Sequence, residues 1–107
     1  MFNIYLICAE IDGKKLYKIG YTRREIQDRI RGNASNFWIV DSFQSKWGTK
    51  IEAMLHKQYR QKKINGEWFD LNDSDINEFK SSCQSIHNNF ELLVNNNTYV
   101  IGRGGRF

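Results

Sequence analysis

The sequence predicts a small α+β domain, in which helices flank a three-stranded antiparallel sheet in the order β-β-α-β-α-α. Three observations indicate this class. A two-residue turn pair separates two strand-like runs near the start, capping residues precede segments with apolar residues at helical spacing, and 107 residues with 40% hydrophobic content suffice for one core. We therefore expect a single domain over residues 1–102 and a flexible basic tail over residues 103–107.

The chain begins with a predicted β-hairpin. Residues 2–9 and 15–20 are rich in β-branched and aromatic side chains. Between them lies Asp12-Gly13, the pair that a two-residue type I′ turn favours. With such a turn, the numbers of facing residues sum to 25 along the whole ladder, so the turn predicts the register of the sheet.

The predicted register brings a phenol close to an ammonium. Tyr5 faces Gly20, Ile7 faces Lys18, and Tyr5 and Lys18 become diagonal neighbours on one face. A nearby cation favours the phenolate, which would suit Tyr5 to act as a general base. Gly20 would leave space for a phosphate or a water to approach the backbone. The alternative is an ordinary Tyr and Lys on the solvent face of a sheet.

A short first helix is predicted after the hairpin. Thr22-x-x-Glu25 has the spacing of a capping box, Ile26 and Ile30 form an i,i+4 apolar pair, and a glycine follows where the helix would end. Because a helix turns by about 100° per residue, Arg29 lies at the border of the apolar side and can face the sheet.

A third strand is predicted over residues 37–43, followed by a second helix that runs to about residue 62. Its inward residues are Ile51, Leu55 and Tyr59. Thr49-x-x-Glu52 has capping-box spacing, and Glu52 and His56 lie along one flank of the apolar stripe. Mg²⁺ typically binds one or two carboxylates together with waters and phosphate oxygens. Glu52 is thus either a metal ligand or only a capping residue, and His56 is more typical of an exposed helix residue.

A third helix is predicted in the last third of the chain. Asn65-Gly66 is a turn, and residues 67–71 form a short extended segment whose two aromatic residues more often plug a core than stack on bases. Residues 72–74 can cap the helix. Its apolar stripe consists of Ile76, Phe79, Cys83, Ile86 and Phe90. A last short strand is predicted at residues 99–101.

The charge is distributed unevenly along the chain. Sixteen Lys and Arg stand against twelve Asp and Glu; residues 1–63 hold thirteen of the basic and six of the acidic side chains, whereas residues 64–102 hold one and six. A polyanion would therefore bind the surface that the first part forms, and two arginines in the tail add to it. The alternative is a solvated basic face without a ligand.

The cysteines and the hydropathy pattern limit the class of protein. Cys8 and Cys83 lie far apart in apolar surroundings, so we expect core thiols and neither a disulfide nor a zinc site. No apolar stretch approaches the roughly 18 residues of a membrane span, and the N-terminus lacks the order of a signal peptide. These patterns favour a cytoplasmic protein without membrane contact.

Several short motifs occur in a distinctive order. They are Asn3-Ile4-Tyr5, Lys18-Ile19-Gly20, Arg29, Glu52-x-x-Leu55-His56 and Gly66-Glu67-Trp68-Phe69. Together they resemble the GIY-YIG nuclease superfamily, and the Lys-Ile-Gly and Gly-Glu-Trp-Phe segments look like its small phage-associated branch. The resemblance covers about residues 3–71.

The resemblance implies hydrolysis of a nucleic-acid phosphodiester, expected in DNA, at a site with one Mg²⁺ (or Mn²⁺). Tyr5 would be the base that activates water, Lys18 would help it ionise or stabilise charge, and Arg29 would hold the scissile phosphate. Glu52 would bind the metal. Tyr21 and His56 are expected to assist. Contacts to the nucleic acid are assigned to Gly20, Arg23, Arg24, Lys46 and Lys50.

The chain departs from the superfamily pattern at two motif positions. Asn3 replaces the first glycine, and Lys18 replaces the second tyrosine; the asparagine found late in the domain elsewhere in the superfamily has no evident counterpart. These departures leave two alternatives to a nuclease. One is a nucleic-acid-binding or regulatory module on the same fold, and the other is a protein-binding factor, such as a phage-encoded modulator of a host enzyme, that uses the acidic second part.

Overall fold

The computed structural model describes residues 1–26 and 37–102, and the side chains of residues 1–26 and 37–95. In chain order the elements are β1 (Phe2–Ile11), β2 (Lys14–Thr22), β3 (Phe37–Ser45), α1 (Gly48–Gln58), a 3₁₀ turn (Arg60–Lys62), β4 (Lys63–Asn65), β5 (Trp68–Phe69), α2 (Asp73–Asn77) and α3 (Phe79–Gly102). The predicted first helix begins at Ile26, and the rest of it lies outside the described residues.

The N-terminal hairpin has the predicted register. β1 and β2 pair antiparallel from Ile11 and Lys14 to Asn3 and Thr22, so facing numbers sum to 25 throughout. Asp12 and Gly13 both have positive φ angles, 53° and 78°, as a type I′ turn requires. The turn chemistry therefore determined the alignment of β1 and β2.

The sheet has five strands, in the order β3-β1-β2-β5-β4, and the prediction of three strands was too few. The predicted three form one side of it, with β3 antiparallel to β1 and a register shift between Leu6 and Ile7. The additional two are a small hairpin closed at Gly66, whose φ is 55°. β5 has only two residues, and a run of that length shows no alternating pattern from which a strand could be predicted.

The two faces of the sheet pack differently. Ile4, Leu6 and Ile19 point to the face that α1 and α3 cover, and they form the larger apolar core. Tyr5 and Ile7 point to the opposite face, where they pack with Ile26, Phe37 and Ile39. Both cysteines are free and buried in the larger core, and burial raises the pKa of Cys83 to about 12.

Helix α1 begins earlier than the capping-box pattern predicts. Gly48 is its first residue and Trp47 its N-cap, with no side chain bonded to the cap position. A Cβ on Gly48 would collide with the side chain of Phe2, so the packing of β1 against the start of α1 requires a glycine here. The predicted capping box of Thr49 and Glu52 is wrong, and Glu52 has no capping role.

The third predicted helix is divided at Glu78 into α2 and α3. Asn72 caps α2 through a complete capping box with Asp75. The predicted apolar stripe is confirmed, since Phe79, Cys83 and Ile86 are buried and Ile76 and Phe90 pack against them. The strand predicted at residues 99–101 is wrong, because α3 continues to Gly102 and each further helical residue adds a backbone hydrogen bond without needing a partner strand.

Candidate active site at the edge of the sheet

A cleft opens where β2 loses its neighbour on one side. β5 pairs with β2 only at Tyr17 and Lys18. Within the described part of the chain, residues 19–22 therefore have no strand partner on that side. The cavity beside this edge has a volume of about 460 Å³. It is lined by Tyr5, Gly20, Tyr21, Glu52 and Glu67.

Tyr5 lies directly over Gly20, its partner in the ladder. The tyrosine is only 2% exposed. A Cβ on Gly20 would lie 2.6 Å from Cζ and 2.9 Å from Cε1 of the ring, well inside carbon contact distance. The phenol thus fills the space that a phosphate or water was expected to use, and glycine is the residue that admits it.

Lys18 shares the face of Tyr5, as the register predicts. Its Nζ lies 3.4 Å from Oε1 of Glu67 and 6.0 Å from the centre of the Trp68 ring. The Lys18 side chain is 25% exposed. Lys18 does not itself line the cleft, but its ion-pair partner does.

Glu52 reaches the cleft from α1, on the other face of the sheet. Its side chain is 25% exposed. Burial raises the pKa of this carboxyl and the charge of Glu67 raises it further, whereas His56 acts in the opposite direction. Glu52 is thus a partly desolvated carboxylate beside a second one, and a bound cation would relieve both effects.

His56 ties α1 to the open edge of β2. Its Nε2 donates a hydrogen bond of 2.9 Å to the carbonyl oxygen of Ile19, which can only accept. The same nitrogen lies 3.7 Å from Oε2 of Glu52, and the ring packs edge-on to Phe69 at 4.9 Å. The expectation of an exposed helix residue was wrong, because the side chain is 22% exposed and bonded across elements.

Tyr21, Arg23 and Arg24 lie at the end of β2 and just beyond it. The ring of Tyr21 packs edge-on to Phe2 at 5.5 Å, and the guanidinium of Arg23 lies 4.8 Å from the centre of the same Phe2 ring. Asn3, which replaces the motif glycine, donates from Nδ2 to the carbonyl of Arg24 at 3.0 Å. Tyr21 is the one of these that lines the cleft.

Among the residues that the structure describes, Lys46 and Lys50 do not line the cleft. Lys46 lies 3.1 Å from Glu91 on α3 and 5.4 Å from the Trp47 ring. Lys50 is exposed in the first turn of α1. Arg29 lies outside the described residues, so its predicted role stays a prediction.

Glu67 is the cleft residue that the sequence reasoning missed. It stands in the turn between β4 and β5, after Gly66, and its side chain is 57% exposed. Glu67 belongs to the Gly66-Glu67-Trp68-Phe69 motif, whose two aromatic residues are more typical of a segment that fills the core than of a binding site. That interpretation is right for Phe69, which is fully buried, while Trp68 is half-buried and packs edge-on to Phe37 at 5.5 Å.

The donor set of the cleft suits a metal that keeps much of its water. Within residues 1–26 and 37–102, no three His, Cys, Asp or Glu side chains come together as a ready-made metal site. The cleft instead offers the carboxylates of Glu52 and Glu67. One or two carboxylates completed by water and substrate oxygens is the usual arrangement for Mg²⁺.

A comparison with protein families gives one match, to the T5orf172 domain over residues 3–90, which include the whole cleft lining. No curated protein and no solved structure matches the chain. None of the helices in the described part of the chain is long and apolar enough to cross a membrane.

Proposed function

The chain belongs to the T5orf172 domain family, which is phage-associated and nucleic-acid-related, and we propose that it is a metal-dependent endonuclease. It would hydrolyse phosphodiesters, expected in DNA, in the cleft at the open edge of β2. The family membership and the basic first part of the chain both support a nucleic-acid substrate.

One observation carries the proposal. Tyr5 and Glu52 belong to opposite faces of the sheet, yet both line the same cleft, because the cavity wraps around the edge that β5 leaves open. A base and a metal ligand that act on one phosphate have to lie within reach of the same substrate position, and their place in one cleft supports those two roles.

The roles follow from the chemistry of each group. Tyr5, in its phenolate form, would accept a proton from the attacking water and become the neutral phenol, and the Lys18 ammonium would favour the phenolate by its positive charge. Glu52 would hold Mg²⁺ or Mn²⁺, which supplies Lewis-acid stabilisation of the phosphoryl oxygens when bound. Arg29 would hold the scissile phosphate, Tyr21 would contact the substrate at the rim, and His56 would keep Glu52 and the strand edge in place.

The direct test is cleavage of plasmid DNA with Mg²⁺, with EDTA as a control. Glu52→Gln preserves the shape of the side chain but is a poorer ligand, and Tyr5→Phe removes the base. Each change should lower the rate by about two orders of magnitude or more, some 3 kcal/mol of transition-state stabilisation. Glu78→Gln, which is outside the cleft lining, is the matched control. Full Mg²⁺-dependent cleavage by Glu52→Gln would refute the proposed metal role.

A second candidate is a nucleic-acid-binding module without cleavage, favoured by the replacement of the motif tyrosine by Lys18, which is already paired with Glu67. Such a module would bind duplex DNA with an affinity that falls as salt rises, at a log-log slope of about −0.9 per neutralised phosphate. It would bind equally with Mg²⁺ or EDTA and leave plasmid, duplex and RNA intact.

A further inference from the structure

We infer that Glu67 is a positioning residue, which holds the ammonium of Lys18 on the Tyr5 face at the mouth of the cleft. The inference rests on the proposed function in that Lys18 matters to the reaction. It concerns a residue that the mechanism proposed above does not use and that reaches the cleft from the turn of the small β4–β5 hairpin.

Two neighbours constrain Lys18. The Glu67 carboxylate forms an ion pair with its ammonium at 3.4 Å, and the Trp68 ring lies 6.0 Å from the same nitrogen. Trp68 is also the ladder partner of Lys18, so the two side chains stand on one face. These two contacts hold the long, flexible side chain of Lys18 in one direction, toward the Glu67 carboxylate at the cleft.

The segment that carries Glu67 is itself firmly attached. Phe69 is fully buried and packs edge-on to His56, which lies next to Glu52. Its backbone pairs with Tyr17 of β2. The four residues from Gly66 to Phe69 therefore adjoin two charged groups of the proposed mechanism, Lys18 through Glu67 and Glu52 through His56.

The test compares two ion pairs of the same kind. Glu67→Gln removes the partner of Lys18, and Asp70→Asn removes the partner of Lys14. Lys14 is on the same strand as Lys18, its Nζ lies 3.2 Å from Oδ2 of Asp70, and neither residue of this second pair lines the cleft. Since exposed ion pairs contribute modestly, Glu67→Gln should lower kcat about three- to fivefold. KM should not rise, because a negative charge is lost from a site for a polyanion. Asp70→Asn should leave kcat unchanged.

A further readout separates positioning from a loss of folding. Relaxation of the Lys18 ε-methylene, measured by NMR without substrate, should show greater motion in Glu67→Gln than in the parent protein, and no change in Asp70→Asn.

Each outcome decides one of the two proposals. Equal kcat values for the two variants, or unchanged motion of Lys18 in Glu67→Gln, would overturn the positioning role. A parent protein that cleaves nothing would instead overturn the nuclease proposal, and the NMR measurement would still decide whether Glu67 holds Lys18.

Discussion

Gly20→Ala tests whether the position of the Tyr5 phenol matters. The added Cβ would lie 2.6 Å from Cζ of Tyr5, where ordinary contacts begin near 3.4 Å, so the ring must retreat by roughly 1 Å. A displacement of about 1 Å in a reacting group costs about 10²-fold in rate. The overpacking should also cost about 1–3 kcal/mol of stability, or about 4–8 °C in Tm for each kcal/mol. Plasmid cleavage and thermal unfolding measure the two effects.

A double-variant cycle shows whether the activity loss acts through the phenol. If it does, adding Gly20→Ala to Tyr5→Phe should lower the residual rate no further, although Tm falls in both backgrounds. Independent, additive losses would mean that Gly20 affects the cleft by another route. Unchanged cleavage by Gly20→Ala alone would refute the claim that Tyr5 acts from the observed position.

The remaining predictions concern stability. Burial and Glu67 raise the folded-state pKa of Glu52, so its ionised form costs stability above that pKa, and the cost disappears as pH falls below the ordinary value of 4.5. Glu52→Gln should therefore raise the free energy of unfolding at pH 7 and not in acid, as urea titrations would measure; a loss at pH 7 would contradict this. Asn72→Ala should cost about 0.5–2 kcal/mol because Asn72 caps α2, whereas Thr49→Ala should change stability by less than about 0.5 kcal/mol. Equal losses in the two variants would contradict the observed helix starts.

Local chemistry was enough to predict the hairpin and much of the cleft. The Asp12-Gly13 turn determines the register, and the register places Tyr5 opposite Gly20 and on the face of Lys18. The helical spacing of apolar residues predicts the inward side of α1, from which Glu52 projects to the cleft. These features depend on neighbours within a few residues or on a two-residue turn, which a single sequence records well.

What could not be predicted depends on contacts between distant segments. Helix α1 starts at Gly48, which packs closely against Phe2 of β1, and the residues around Thr49 give no sign of that distant contact. The pairing of Trp68 with Lys18 is a contact between residues fifty positions apart, in a strand too short to show a pattern. Without that pairing, Glu67 has no visible connection to Lys18, and its place in the cleft could not be foreseen.

The shortness of β5 determines how much of the β2 edge stays open at the cleft. If its antiparallel pairing with β2 continued, Glu67 would face Ile19 and Gly66 would face Gly20, and the new strand would displace His56 from the Ile19 carbonyl. The turn at Gly66 ends the pairing first. An insertion or deletion in this turn would change the length of exposed edge while leaving the buried core intact, so the hairpin is where evolution or design could alter which substrates enter.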